Sequence, residues 1–148
     1  MLIKNLEEMK KLAERFIKSI DQPLENKATI VGLYGNLGSG KTAFVKKVAE
    51  VLGIKEHVIS PTFVIFKNYK LNKSRFQKLV HIDAYRLEDE EALNKLDFSK
   101  IIEDQNNLVL VEWANQVVSA LPKDHLRINF EYINDQTRNI KVDDRIER

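Results

Sequence analysis

The chain has no cysteine among its 148 residues. Disulfides, thiolate zinc sites and a cysteine nucleophile are thereby excluded, and any metal must bind through oxygen or imidazole. Nor is there an apolar run approaching the roughly 20 residues that a membrane helix requires, so no span is expected. The opening stretch MLIKNLEEMKKLAERF is charged throughout and lacks the apolar core of a secretory signal, so the expected location is the cytoplasm. Charge of one sign is missing too. With 24 basic and 22 acidic residues the net charge is +2, too balanced to make the surface a trap for nucleic acid. DNA is not expected as a partner, and RNA only indirectly. Repeats, linkers and low-complexity segments are absent, and the length suits one domain over residues 1–148.

What is present reads as alternating helices and strands. Leu6, Met9, Leu12, Ala13, Phe16, Ile17 and Ile20 recur at three- and four-residue steps, which predicts a helix with one apolar stripe. After a loop over Asp21 to Lys27, TIVGLYG (Thr29 to Gly35) reads as a buried strand. A second helix begins near Gly40 or Lys41, turns Phe44, Val45, Val48, Ala49 and Leu52 inward, and stops around Gly53. Next, VIFKNYKL and QKLVHIDAYR, joined by the polar turn Asn72 to Arg75, predict an antiparallel hairpin. LEDEEALNKLDF has helical spacing, LVLVEW (Leu108 to Trp113) is an apolar strand ending in a carboxylate, and His125 to Tyr132 with Arg138 to Val142 predicts a terminal hairpin.

The most specific feature lies between the first strand and the second helix. GNLGSGKT (Gly35, Asn36, Leu37, Gly38, Ser39, Gly40, Lys41, Thr42) fits G-x-x-x-x-G-K-[ST], a match expected by chance on the order of once in a few hundred chains of this length. Glycines let the backbone bend until successive N–H groups face one centre, and the helix behind adds its positive end, so an anionic phosphate meets preorganised donors. Lys41 would span the β- and γ-phosphates, and the Thr42 hydroxyl suits Mg²⁺, a hard cation that prefers oxygen.

Two carboxylates close strands: Asp83 in HIDAYR and Glu112 in LVLVEW. In an open α/β sheet such positions lie beside the phosphate loop. Glu112 could orient or deprotonate the attacking water and Asp83 could hold Mg²⁺, or the roles could be exchanged. Either could instead be a solvated loop start. Ser60 and Thr62 in SPTF belong either to a loop that senses the γ-phosphate or to a Pro-containing turn. His81 shares the strand face of Asp83 and reads as a hydrogen-bonded structural group. Tyr85 and Arg86 reach the nucleotide or a partner, or merely pack the edge, and Trp113 reads as core or rim. NKLD (Asn94 to Asp97) matches the guanine-reading N-K-x-D pattern but interrupts a helical acidic segment, and no D-x-x-G accompanies it. The nucleotide read is ATP.

Taken together, GNLGSGKT, SPTF, HIDAYR and LVEW, in this order, resemble the TsaE family of P-loop ATPases in bacterial tRNA threonylcarbamoyladenosine biosynthesis, over nearly the whole chain. The resemblance implies an α/β, three-layer P-loop fold with a mixed central sheet. It implies ATP and Mg²⁺ as cofactors and action on TsaD and TsaB, which modify adenosine 37 of tRNAs reading codons that begin with A. By position it puts ATP on Gly38 to Thr42, Mg²⁺ on Thr42 and Glu112, metal support or hydrolysis on Asp83, and Thr62 in a switch-like loop. Asn36, Lys95, Ala114 and Met9 depart from the usual family pattern without removing a phosphate or metal ligand. A small-molecule kinase and a non-catalytic nucleotide sensor are the other readings. A kinase needs an arginine-bearing lid, and Arg75, Arg86, Arg127 and Arg138 are scattered along the sequence.

Overall fold

The computed structural model describes residues 1–21, 26–56, 66–72, 74–87 and 93–145. Its strands are β1 (Leu2–Ile3), β2 (Thr29–Tyr34), β3 (Phe66–Lys70), β4 (Lys78–Asp83), β5 (Asn107–Glu112), β6 (Leu126–Asn134) and β7 (Thr137–Val142). The helices are α1 (Leu6–Ser19), α2 (Lys41–Val51) and α3 (Phe98–Glu103). All seven strands join one sheet in the order β1-β7-β6-β2-β5-β4-β3. β6, β2, β5 and β4 run parallel, while β1–β7, β6–β7 and β3–β4 are antiparallel pairs. The sheet is therefore mixed, with a parallel centre that needs cover on both faces.

That need explains the sequence of the central strands. Every residue of β5 is buried, and so are the first five of β2. Leu108 and Leu110 face the α1 and α2 side, while Val109 and Val111 face a second cluster with Phe98 of α3, Leu93 and Leu121. On the first side Phe44 of α2 meets the rings of Phe16 and Phe130 edge-on, at centroid distances of 5.4 and 5.7 Å. Truncating such a core ring costs about 3–5 kcal/mol.

α1 starts where its sequence tells it to. The Asn5 side chain accepts from the Glu8 N–H at 2.8 Å, and the Glu8 carboxylate reaches back to the Lys4 N–H at 2.6 Å. The first satisfies a backbone donor that the opening turn leaves unpaired, and the second ties the residue ahead of the cap to the helix. Met9, Leu12, Ala13, Phe16 and Ile20 are buried as the periodicity requires. Leu6, the first helical residue and expected on the same stripe, is 62% exposed.

Both expected hairpins form: Tyr69 pairs with Leu79 in the first, and Phe130 with Ile140 in the second. In the second the strands consume most of the polar stretch expected as a turn, leaving Asp135 and Gln136 between them. The helical spacing of LEDEEALNKLDF is met at Leu93 and Asn94 and interrupted before Phe98. Leu93 and Asn94 are helical, residues 95–97 turn, and α3 begins afresh at Phe98 after Asp97 adopts a left-handed φ of 56°. Residues 88–92 lie outside the described residues. β1 went unread, since two residues carry no periodicity.

Candidate functional site

A cavity of about 430 Å³ opens at the carboxyl ends of the central strands, the crevice in which open α/β sheets bind ligands. It is lined by the loop from Leu37 to Gly40, by the start of α2, and by Asp83, Tyr85, Arg86, Glu112, Trp113 and Arg138. Three segments distant in sequence therefore converge on the loop between β2 and α2.

The loop is shaped by two constraints. Gly35 has a φ of 153°, and a Cβ there would lie 2.5 Å from the Phe130 carbonyl oxygen. Gly40 caps α2 with a φ of 109° and offers no side-chain acceptor to the first turn. The contrast with α1 is informative: Asn5 satisfies a donor there, whereas the first-turn amides of α2 open beside the cavity with no such cap. Uncapped amides at a helix start attract an anion.

Lys41 is 4% exposed. Its ammonium donates to the Gly35 carbonyl at 2.5 Å, the Asn36 carbonyl at 2.9 Å and the Ser39 hydroxyl at 3.3 Å, and lies 4.1 Å from the Trp113 ring centroid. Burial lowers its pKa from the usual lysine range, and the Glu112 and Asp83 carboxylates work against that shift. Gly35 and Asn36, expected among the nucleotide-binding residues, do not line the cavity. Their carbonyls hold the lysine instead.

Asp83 and Glu112 are direct partners at the ends of neighbouring parallel strands. The Thr42 hydroxyl donates to Glu112 Oε1 at 2.7 Å, and His81 Nε2 lies 2.5 Å from Glu112 Oε2. A carboxylate can only accept, so Nε2 carries the proton there. His81 Nδ1 is fully buried and has no hydrogen-bond partner among the described residues. Both oxygens of Glu112 are thus held in place. One oxygen of Asp83 accepts from the Tyr85 N–H at 3.0 Å, which orients that carboxylate across the turn.

These donors suit a hard divalent cation. Thr42, Glu112 and Asp83 all line this cavity, so their oxygens could together hold a cation of the Mg²⁺ kind.

The chain matches the family model described as Threonylcarbamoyl adenosine biosynthesis protein TsaE over residues 3–140. The chain belongs to the TsaE family. It is 40% identical over 111 residues to the tRNA threonylcarbamoyladenosine biosynthesis protein TsaE of Bacillus subtilis, covering 75% of this chain and 66% of that one. It thus spans just under two thirds of that relative. To the Haemophilus influenzae protein of the same description it is 30% identical over 133 residues, 90% of this chain and 78% of that one. Among solved structures, that of Bacillus subtilis YdiB superposes with a TM-score of 0.72 at 31% identity, covering 99% of this chain and 87% of that one. The mixed α/β sheet expected for the TsaE family is therefore the fold.

Against this fold, Leu37, Gly38, Ser39, Gly40, Lys41, Thr42, Asp83 and Glu112 come together as the sequence suggested. Ser60 and Thr62 lie outside the described residues. Sequence reasoning undervalued Trp113, which takes a left-handed φ of 57° as β5 ends, meets the Tyr85 ring at a tilt with centroids 4.9 Å apart and covers Lys41. It also judged the arginines scattered, yet Arg86 and Arg138 both line the cavity. Arg86 carried a signal, three residues beyond Asp83. Arg138 carried none.

Proposed function

We propose that residues 1–148 act as one ATPase domain that binds ATP with Mg²⁺ at this cavity. In this reading it hydrolyses ATP in the cytoplasm as a component of tRNA threonylcarbamoyladenosine biosynthesis. It acts on TsaD and TsaB, which carry out the transfer to tRNA, and contacts tRNA only through that complex. The observation that carries the reading is the Thr42–Glu112 hydrogen bond beside the buried ammonium of Lys41, at the mouth of an uncapped helix.

Each group has a task that its position supports. The amides from Gly38 to Thr42 receive the phosphates, and the Lys41 ammonium spans the β- and γ-phosphates, where buried charge and preorganised donors act strongly. Thr42, Glu112 and Asp83 would hold Mg²⁺. When bound, the metal neutralises charge developing on the phosphate oxygens. Glu112, with His81 fixing one oxygen, orients or deprotonates the attacking water. Asp83, fixed by the Tyr85 amide, supports the metal from the neighbouring strand.

A kinase reading draws on one specific observation, the two arginines at the cavity. Incubation with MgATP and candidate acceptors separates the two: phosphate release into water supports the ATPase, and phosphoryl transfer to a metabolite overturns it. The pathway is tested by reconstitution with TsaD, TsaB and tRNA. Repeated rounds of modification should require this protein and fail with Lys41→Met, and rounds that continue without it would remove the pathway assignment.

A further inference from the structure

Arg138 is the second residue of β7, and its backbone is fixed from both sides, opposite Ile3 of β1 and opposite Tyr132 of β6. Its guanidinium carbon lies 4.6 Å from the Tyr132 ring centroid, so the side chain is held as well. From this mount it meets three backbone carbonyls. Nε donates to Gly38 at 2.8 Å, and Nη1 donates to Asn134 at 2.5 Å and Thr137 at 3.2 Å. Two of those carbonyls belong to the turn of its own hairpin. The third belongs to the apex of the phosphate loop, 100 positions earlier in the chain.

Gly38 has no side chain with which to fasten itself. It adopts a left-handed φ of 75°, and among the described residues nothing lies within 4 Å of where a Cβ would stand. The hydrogen bond from Arg138 ties this exposed apex to the sheet. A second contact makes the tie effective: the Ser39 N–H donates to the Asn36 carbonyl at 3.1 Å. The Gly38 carbonyl and the Ser39 amide belong to one planar peptide group and point in opposite directions. That plane is pinned at both edges, by Arg138 from outside the loop and by Asn36 from within it.

We propose that Arg138 is a positioning residue of the phosphate loop, which holds the Gly38 carbonyl and thereby fixes the Gly38–Ser39 peptide plane and the aim of the loop amides. The role rests on the reading of this loop as the ATP site, but the fixed plane is a property of the free protein. Fixing donors in advance raises affinity by removing the entropy cost of ordering them on binding. It also makes the terminal hairpin part of the nucleotide site.

Arg138→Met keeps an unbranched stem and removes the donors together with the group over Tyr132, and Arg138→Lys returns an ammonium in place of the planar fork. In the nucleotide-free protein, exchange of the Ser39 amide with solvent, followed by NMR, should quicken several-fold in Arg138→Met and recover in part in Arg138→Lys, with the melting temperature little changed. By calorimetry with Mg²⁺, Arg138→Met should weaken ATP and ADP by a similar factor, about 10-fold, because the amides serve phosphates common to both, and Arg138→Lys should recover much of the loss. Unchanged Ser39 exchange, or unchanged affinity for both nucleotides where the wild type binds them, would overturn the proposal. So would a loss confined to ATP, which would mark a direct contact with the γ-phosphate. A wild type that binds neither nucleotide would overturn the ATP reading, while quickened Ser39 exchange in Arg138→Met would still support the fixed plane. Were Arg138→Met to fail to fold, Arg138→Lys against wild type decides, since an ammonium in place of the fork should leave exchange and affinity between the two extremes described.

Discussion

Lys41 is buried with a positive charge, and its three contacts with the loop and its place over Trp113 make that tolerable. Removing the charge should therefore spare the fold and harm binding. Lys41→Met is expected to weaken ATP by roughly 10- to 100-fold, the equivalent of losing one charge-assisted hydrogen bond, as read by calorimetry. Glu112 calls for a gentler substitution. Alanine would remove the partner of His81 Nε2, whereas Glu112→Gln keeps groups able to meet both Thr42 and His81. Glu112→Gln should bind nucleotide and lose at least about 100-fold in phosphate release, the usual scale for a general base. Full turnover in that variant would refute the assignment. At Gly35, φ and the Phe130 carbonyl both oppose a side chain, so Gly35→Ala should cost about 2 kcal/mol or more in denaturant unfolding.

At the scale of elements, β2 and the entry to β6 are locked by a polar pair. His125 Nδ1 lies 2.6 Å from the Pro122 carbonyl, which can only accept, so Nδ1 carries the proton and Nε2 accepts from the Tyr34 hydroxyl at 2.6 Å. Burial lowers the His125 pKa below 6.5, with the Pro122 hydrogen bond opposing and the Arg127 and Arg145 charges assisting. A folded histidine that resists protonation leaves the unfolded chain to take up the proton first. Its contribution is thus intact above pH 6.5 and is lost as pH falls through the lowered value. Wild-type protein should lose more stability than His125→Asn between pH 6.5 and about 5, and equal slopes in denaturant titrations would refute this. Further down, Asp143 is pulled to about 2 by Arg145. Its contribution is present above 3.8 and is lost as pH falls through about 2.

Elements also differ in how plainly the sequence announces them. α1 has a capping residue and a stripe of period 3.6, and β5 is an unbroken apolar run, so each is legible from its own residues. The helical spacing of the stretch before α3 does not announce the break that the left-handed Asp97 makes just ahead of Phe98. β1 exists because β7 offers it an open edge, and no local pattern encodes that.

For the whole molecule, two core clusters share one sheet, and their strands alternate side chains between both. Neither face can come apart without exposing the other, so we expect a single cooperative thermal transition. ATP with Mg²⁺ at 100 times its dissociation constant should stabilise the fold by about 2.7 kcal/mol, a rise of roughly 5–11 °C for a chain of this size. No rise at saturating MgATP would count against the binding site. Two separate transitions would overturn the single domain.

The glycine-rich loop between β2 and α2 was legible because a tight turn into a helix is written with glycines at fixed short spacing. The two strand-end carboxylates were legible because each follows an apolar run that ends at the edge of the sheet. Local physics determines such features, so the sequence by itself determined the α/β class and the chemistry of the loop. Tertiary structure alone decided that His81 grips Glu112, that Trp113 covers Lys41 and that Arg138 reaches Gly38. Those contacts join segments up to 100 residues apart through strand order and register, and no spacing along the chain records which strands will be neighbours.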